Sequence, residues 1–85
     1  MEVGKQLEYG VQPLDGMMER IGLSNHDLVV ASEEGLTHKQ VGRARRGRRM
    51  KRNMQEKVVR AFNGVVQNGE EAVEYTVRDI FNYRG

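Results

Sequence analysis

One short signal occurs twice, and it limits the fold more than any other feature of the chain. Leu23-Ser24-Asn25-His26-Asp27-Leu28 reads as a helix start, with Ser24 as N-cap, Asp27 three residues on, and Leu23 and Leu28 placed as a hydrophobic staple. Thirteen positions later Leu36-Thr37-His38-Lys39-Gln40-Val41 repeats the pattern, with Thr37 as N-cap, Gln40 as its partner, and Leu36 and Val41 as the staple. A helix opened at Ser24 must therefore close before Thr37. Ser32-Glu33-Glu34-Gly35 is where it stops. In the second helix Val41 and Ala44 face inward three residues apart, and Gly47 ends it.

Two short capped helices joined by a glycine-containing turn describe a helix-turn-helix. The rest of the chain supports an all-α reading, a compact bundle of four to five short helices. Pro13 suits a helix start, and Leu14, Met17, Met18 and Ile21 make one apolar stripe that Gly22 can end. Arg48-Arg49-Met50-Lys51-Arg52 reads as a charged connection. Asn53, with Glu56 three residues on, reads as the cap of a fourth helix carrying Met54, Val58, Ala61 and Phe62 on one face and ending at Asn63-Gly64. Asn68-Gly69 marks a turn, and a fifth helix is expected from about Glu70 to Tyr83, with Val73, Val77, Ile80 and Phe81 on one side. The organisation that follows is a flexible arm over residues 1–12, a helix-turn-helix domain over 13–66, and a C-terminal helix within 67–85 for packing or dimerisation.

Charge is distributed unevenly along these elements. Residues 37–63 hold ten of the fourteen Lys and Arg and a single acid, Glu56, a net of +9. Residues 1–36 net −5 and residues 64–85 net −2, so the overall +2 hides the contrast. Positive charge concentrated between folded flanks is an electrostatic footprint for a polyanion. With 85 residues the chain forms one small domain with a thin core, and a cleft with several converging catalytic groups is hard to build at that size. Cysteine is absent, which removes disulfides and thiolate metal sites. His26 and His38 stand on different expected helices, and no neighbouring acid or cysteine completes a metal site or a nucleophile–base pair. No enzyme activity, metal, cofactor or small-molecule ligand is expected. Without an apolar run of roughly 18 residues or a secretory start, the expectation is a cytoplasmic protein, away from membranes.

From Leu14 to Asn63 the chain resembles the phage-repressor and Cro-type helix-turn-helix family of bacteria and phages. The likeness is carried by GLTHKQVGRARRGRR, by LSNHDLV with Asn25 where the family usually has glutamine, and by KVVRAFN. Two departures are visible: Val29 stands where the family favours alanine, and Ser32-Glu33-Glu34 lengthens the turn by about two residues. The resemblance implies a small transcriptional regulator of repressor type that places helix 38–46 in the major groove of double-stranded DNA. It implies base contacts from His38, Lys39, Gln40 and Arg43. Lysine and arginine suit guanine O6 and N7, and glutamine suits adenine. Gly42 would let the backbone lie close to the duplex. Asn25, Thr37, Arg45, Arg46, Arg48, Arg49, Lys51 and Arg52 are then expected on phosphates, which position a protein without reading sequence. Gln40 has a competing task as the cap partner of Thr37. A homodimer through the 70–83 helix would match a palindromic site. Two other readings stay open: RARRGRRMKR is similar to arginine-rich RNA-binding helices, and the acidic ends with an apolar last helix suit a DNA-binding antitoxin or another protein-interaction module.

Overall fold

Gln12 and Pro13 set the first helix, because proline at the first helical position needs no hydrogen-bond acceptor. The computed structural model describes residues 8–67 and 74–84. It contains α1 (Pro13–Ile21), α2 (Asn25–Ala31), α3 (His38–Arg46), α4 (Arg52–Val66) and α5 (Val77–Ile80), with no strand among the described residues. No helix among them is long and apolar enough to cross a membrane.

Both duplicated start signals form as read. Ser24 Oγ accepts from the Asp27 N–H at 3.3 Å, and the Asp27 carboxylate accepts from the Ser24 N–H at 2.7 Å. That backbone bond, with the Ser24 hydroxyl second, holds the Asp27 carboxyl below the usual carboxylate range. Thr37 Oγ1 accepts from the Gln40 N–H at 3.1 Å while Gln40 Oε1 accepts from the Thr37 N–H at 3.0 Å. Helices of 7 and 9 residues are too short to persist alone, so caps worth about 1 kcal/mol each only complete what packing supplies. The packing is a single core. Leu14 and Met18 of α1, Leu28 of α2, Val41 and Ala44 of α3, and Val58 and Phe62 of α4 are fully buried in it. α2 packs on α3 and α4, while α1 packs on α3 and α5. Ile21, expected in the α1 stripe, ends the helix half exposed at 52%.

The connection from Ser32 to Thr37 is pinned down despite its length. Ser32 Oγ accepts from the Glu34 and Leu36 N–H groups at 3.1 and 3.2 Å. Arg60 of α4 donates twice to Glu34, at 2.6 and 2.7 Å, and so holds the Glu34 carboxyl below its usual range.

Four expectations need correction. Residues 8–12 are not a loose arm, while residues 1–7 of that expected arm lie outside the described residues. The Tyr9 N–H donates to Gly47 O at 2.7 Å, the Gln12 N–H donates to Arg45 O at 3.0 Å, and Tyr9 stacks on Tyr83 with centroids 4.4 Å apart. Gln12 is 1% exposed, and its Oε1 accepts from the Asn82 N–H at 2.7 Å. Second, α4 starts one residue before Asn53: the Lys51 carbonyl takes the Met54 and Gln55 N–H groups, both at 3.0 Å, and Glu56 pairs with Arg52 instead of a cap. Third, α4 runs past Asn63-Gly64 to Val66. The Asn63 side chain does not turn back to end its helix, because it grips the Tyr75 backbone through both its oxygen (2.8 Å) and its nitrogen (3.0 Å). Fourth, of the described part of the helix expected over 70–83, only the four residues of α5 are helical. Glu74 to Thr76 are not helical, Phe81 is extended, and Val77, Ile80 and Phe81 are buried in the core of the chain itself. The Asn68-Gly69 turn, Val73 and the segment 70–73 of that expected helix lie outside the described residues.

Gly47 shows why the N-terminal stretch can lie where it does. It has φ +86°, and a Cβ there would overlap the Gly10 carbonyl oxygen. Gly47→Ala is expected to destabilise the fold by about 2 kcal/mol or more, through left-handed strain plus the collision. Gly22→Ala, at φ +82° with open space around it, should lose only about 1 kcal/mol. Denaturant midpoints check this. Equal losses would mean that the backbone approach of residues 8–12 contributes nothing.

Candidate nucleic-acid interface

The capping box fixes where α3 begins, and burial of Val41 and Ala44 fixes its rotation. At 3.6 residues per turn, His38, Lys39, Gly42, Arg43 and Arg46 then share an arc of roughly 140° on the outer side. His38, Lys39, Arg43 and Arg46 are exposed there. Gly42 is not bare backbone: a Cβ at that position would stand 3.3 Å from Arg46 Nη1 and 3.7 Å from Asn25 Nδ2. The missing side chain makes room for the Arg46 guanidinium to fold back across the helix, so the expected close approach of naked backbone to a ligand is not what the glycine provides.

Arg45 is the residue that departs furthest from expectation. It points away from the outer face and toward α1, with its side chain 16% exposed. Its Nε donates to Asp15 Oδ1 at 2.6 Å, its Nη2 to Glu19 Oε2 at 3.2 Å, and its Nη1 to Asn25 Oδ1 at 2.8 Å. Arg45 is thus a tie between three helices and not a phosphate contact. Asn25 shares the correction in part, since its carbonyl oxygen is taken by Arg45. Asp15 and Glu19, four residues apart on one face of α1, were the sequence signal for this tie. The chain alone does not say which arginine they meet.

The other expected residues fall into three groups. Thr37 and Gln40 hold the helix start. Gln40 Oε1 is occupied by the Thr37 N–H, so a two-point contact with adenine would cost the cap. Gln40, Arg43, Arg48, Arg49 and Lys51 converge on a cleft of about 420 Å³ between α3 and the start of α4, with no acid in its lining. The start of α4 has no side-chain cap and no acid in its first turn. Arg52 faces a different cleft, and it pairs with Glu56 at 3.2 Å in an exposed contact of small energetic weight. Arg48 reaches Glu8 at 3.7 Å, also exposed. Tyr83 braces this region: its hydroxyl accepts from the Met50 N–H at 3.0 Å and donates to the Arg48 carbonyl at 3.0 Å, and burial pushes that hydroxyl above its usual range, so it stays a donor.

The sequence places the two histidines on different helices, and the structure joins them. His26 Nδ1 and His38 Nε2 lie 3.2 Å apart, with ring planes 15° from parallel and centroids 5.4 Å apart. Nitrogens facing along the line of centres make an edge-to-edge N–H···N contact in which one nitrogen donates and the other must carry a lone pair. The signal was present: the two histidines occupy the first turns after the two caps, and those helices pack side by side. No group of three or more His, Cys, Asp or Glu side chains converges as a metal site among the described residues.

Arg45→Ala is expected to destabilise the protein by about 2 kcal/mol, as charged hydrogen bonds to three partners are lost and two acids are left facing each other. Arg43→Ala should stay within about 0.5 kcal/mol of the parent. Thermal and denaturant unfolding of both variants tests the division of labour; a stable Arg45→Ala protein would return Arg45 to the outer surface. Comparison with known proteins found no matching family model, no similar curated protein and no similar solved structure.

Proposed function

We propose that this protein is a sequence-specific double-stranded DNA-binding protein, a small regulator that sets α3 into the major groove with α2 behind it as a helix-turn-helix pair. The observation that carries the reading is the outer face of α3, where His38, Lys39, Arg43 and Arg46 are exposed and no acid interrupts them, while the opposite face is locked into the core. The major groove admits one α-helix, and residues near the N-terminal end of such a helix meet base edges. Lys39 and Arg43 are the proposed base readers. His38 is held by His26, so its remaining ring nitrogen is what it can offer. Arg46, Arg48, Arg49 and Lys51 supply phosphate contacts around the groove. A free arginine-rich RNA-binding segment is less well supported, because Arg43, Arg45 and Arg46 belong to a helix whose inner face is packed into the core.

Selection from random duplexes with the pure protein, followed by electrophoretic shift, tests the proposal. Lys39→Ala and Arg43→Ala are each expected to weaken the preferred site by about 1–3 kcal/mol and to relax discrimination at one base pair. A double variant that keeps full selectivity, or a wild type that prefers structured RNA over duplex at matched salt, would remove α3 from the role.

A further inference from the structure

Arg52, Arg78 and Arg84 converge on a second cleft, of about 440 Å³, floored by Val77, Phe81 and Tyr83. No acid lines it. Arg78 and Arg84 are exposed and have no acidic partner among the described residues. The aromatic rings are already occupied. Tyr83 stacks on Tyr9, Phe81 stands edge-on to Tyr83 with centroids 5.7 Å apart, and the Tyr83 hydroxyl has its two backbone partners. Base stacking is therefore not offered, and the Arg78 and Arg84 guanidiniums dominate what remains, with Arg52 beside them paired to Glu56. Their chemistry is that of an anion site.

The position of the cleft narrows the choice of anion. Lys51 lines the cleft beside α3 and Arg52, the next residue, lines this one, so the two cationic surfaces meet at the start of α4. Tyr83 fixes the far wall to Arg48 and Met50 on that same connection. An anion with charges repeated along its length can occupy both clefts at once. We propose that the C-terminal cleft is a second phosphate-backbone site, through which Arg78 and Arg84 hold the duplex outside the base pairs that face α3. The proposal rests on the DNA-binding reading and gives the C-terminal segment a phosphate-binding role in place of the packing or dimerisation its sequence suggests.

The test compares wild type, Arg78→Gln/Arg84→Gln and Arg78→Lys/Arg84→Lys on one preferred duplex with long flanks, across a salt series, after thermal melts show that all three are folded. Each phosphate contact contributes about 0.9 to the slope of log K against log salt. The glutamine pair should flatten the slope by about 1.8 and weaken binding roughly 60-fold at 0.1 M salt. Its base preference should be unchanged, and the lysine pair should keep the slope. Trimming the flanks should weaken wild type and leave the glutamine pair unaffected. An unchanged slope in the glutamine pair, with wild type binding normally, overturns the second site alone. A wild type that binds no duplex overturns both this site and the α3 reading. Arginine-dependent binding of a polyglutamate peptide, with the DNA slope unaltered, would assign the cleft to an acidic protein and also overturn the proposal.

Discussion

The orientation of α3 depends on Arg45. A helix with arginines at 43, 45 and 46 has only a narrow apolar face, and Val41 and Ala44 are small anchors that set its rotation but hold it weakly. Arg45 reinforces that rotation by meeting Asp15, Glu19 and Asn25 at once, at distances of 2.6 to 3.2 Å. A charge so enclosed is costly unless paired, which makes the arrangement intolerant of a half-turn slip. With Arg45 turned in, Lys39, Arg43 and Arg46 must turn out. One arginine is neutralised so that its neighbours stay unneutralised, and the cationic surface inherits its geometry from an acidic helix on the other side.

Acids on several elements act as fasteners. Glu34 fastens the α2–α3 connection to Arg60, Glu56 fastens Arg52, and Glu8 approaches Arg48. Most of these pairs are exposed and worth little individually. Their effect is on distribution: Glu34 and Glu56 are held on partners outside the lining of the α3 cleft, where at physiological salt a like-signed field persists over about 8 Å. The uneven charge along the chain thus becomes an uneven charge in space.

What could be read from the chain was mostly local. The boxes at Ser24–Asp27 and Thr37–Gln40 are contacts between residues three apart, and the sequence contains all of their chemistry. Gly22 and Gly47 as helix stops, and Val41, Ala44, Val58 and Phe62 as core, are equally local. What escaped depends on partners far along the chain. Asn63 reads as a helix end until Tyr75 claims its side chain. The start of α4 is the exception, a local miss in which the Lys51 carbonyl begins the helix before Asn53. The last helix stops at Ile80 because the segment that follows pairs its backbone and rings with residues 9, 12 and 50. In the candidate site, Lys39, Arg43, Arg48, Arg49 and Lys51 were legible as a cationic group. Arg45 was not separable from them, and the meeting of His26 with His38 required knowing that two helix starts lie side by side.

The contact between Tyr9 and Tyr83 has a practical corollary. Both rings settle beside residues 47–50, because the Tyr9 N–H reaches Gly47 and the Tyr83 hydroxyl reaches Arg48 and Met50. Polypeptide joined ahead of Glu8 or beyond Arg84 sets out from one shared corner, next to the basic connection between α3 and α4. Labels at Glu8 and Arg84 would therefore report on the same corner, and loosening either tyrosine would release both segments.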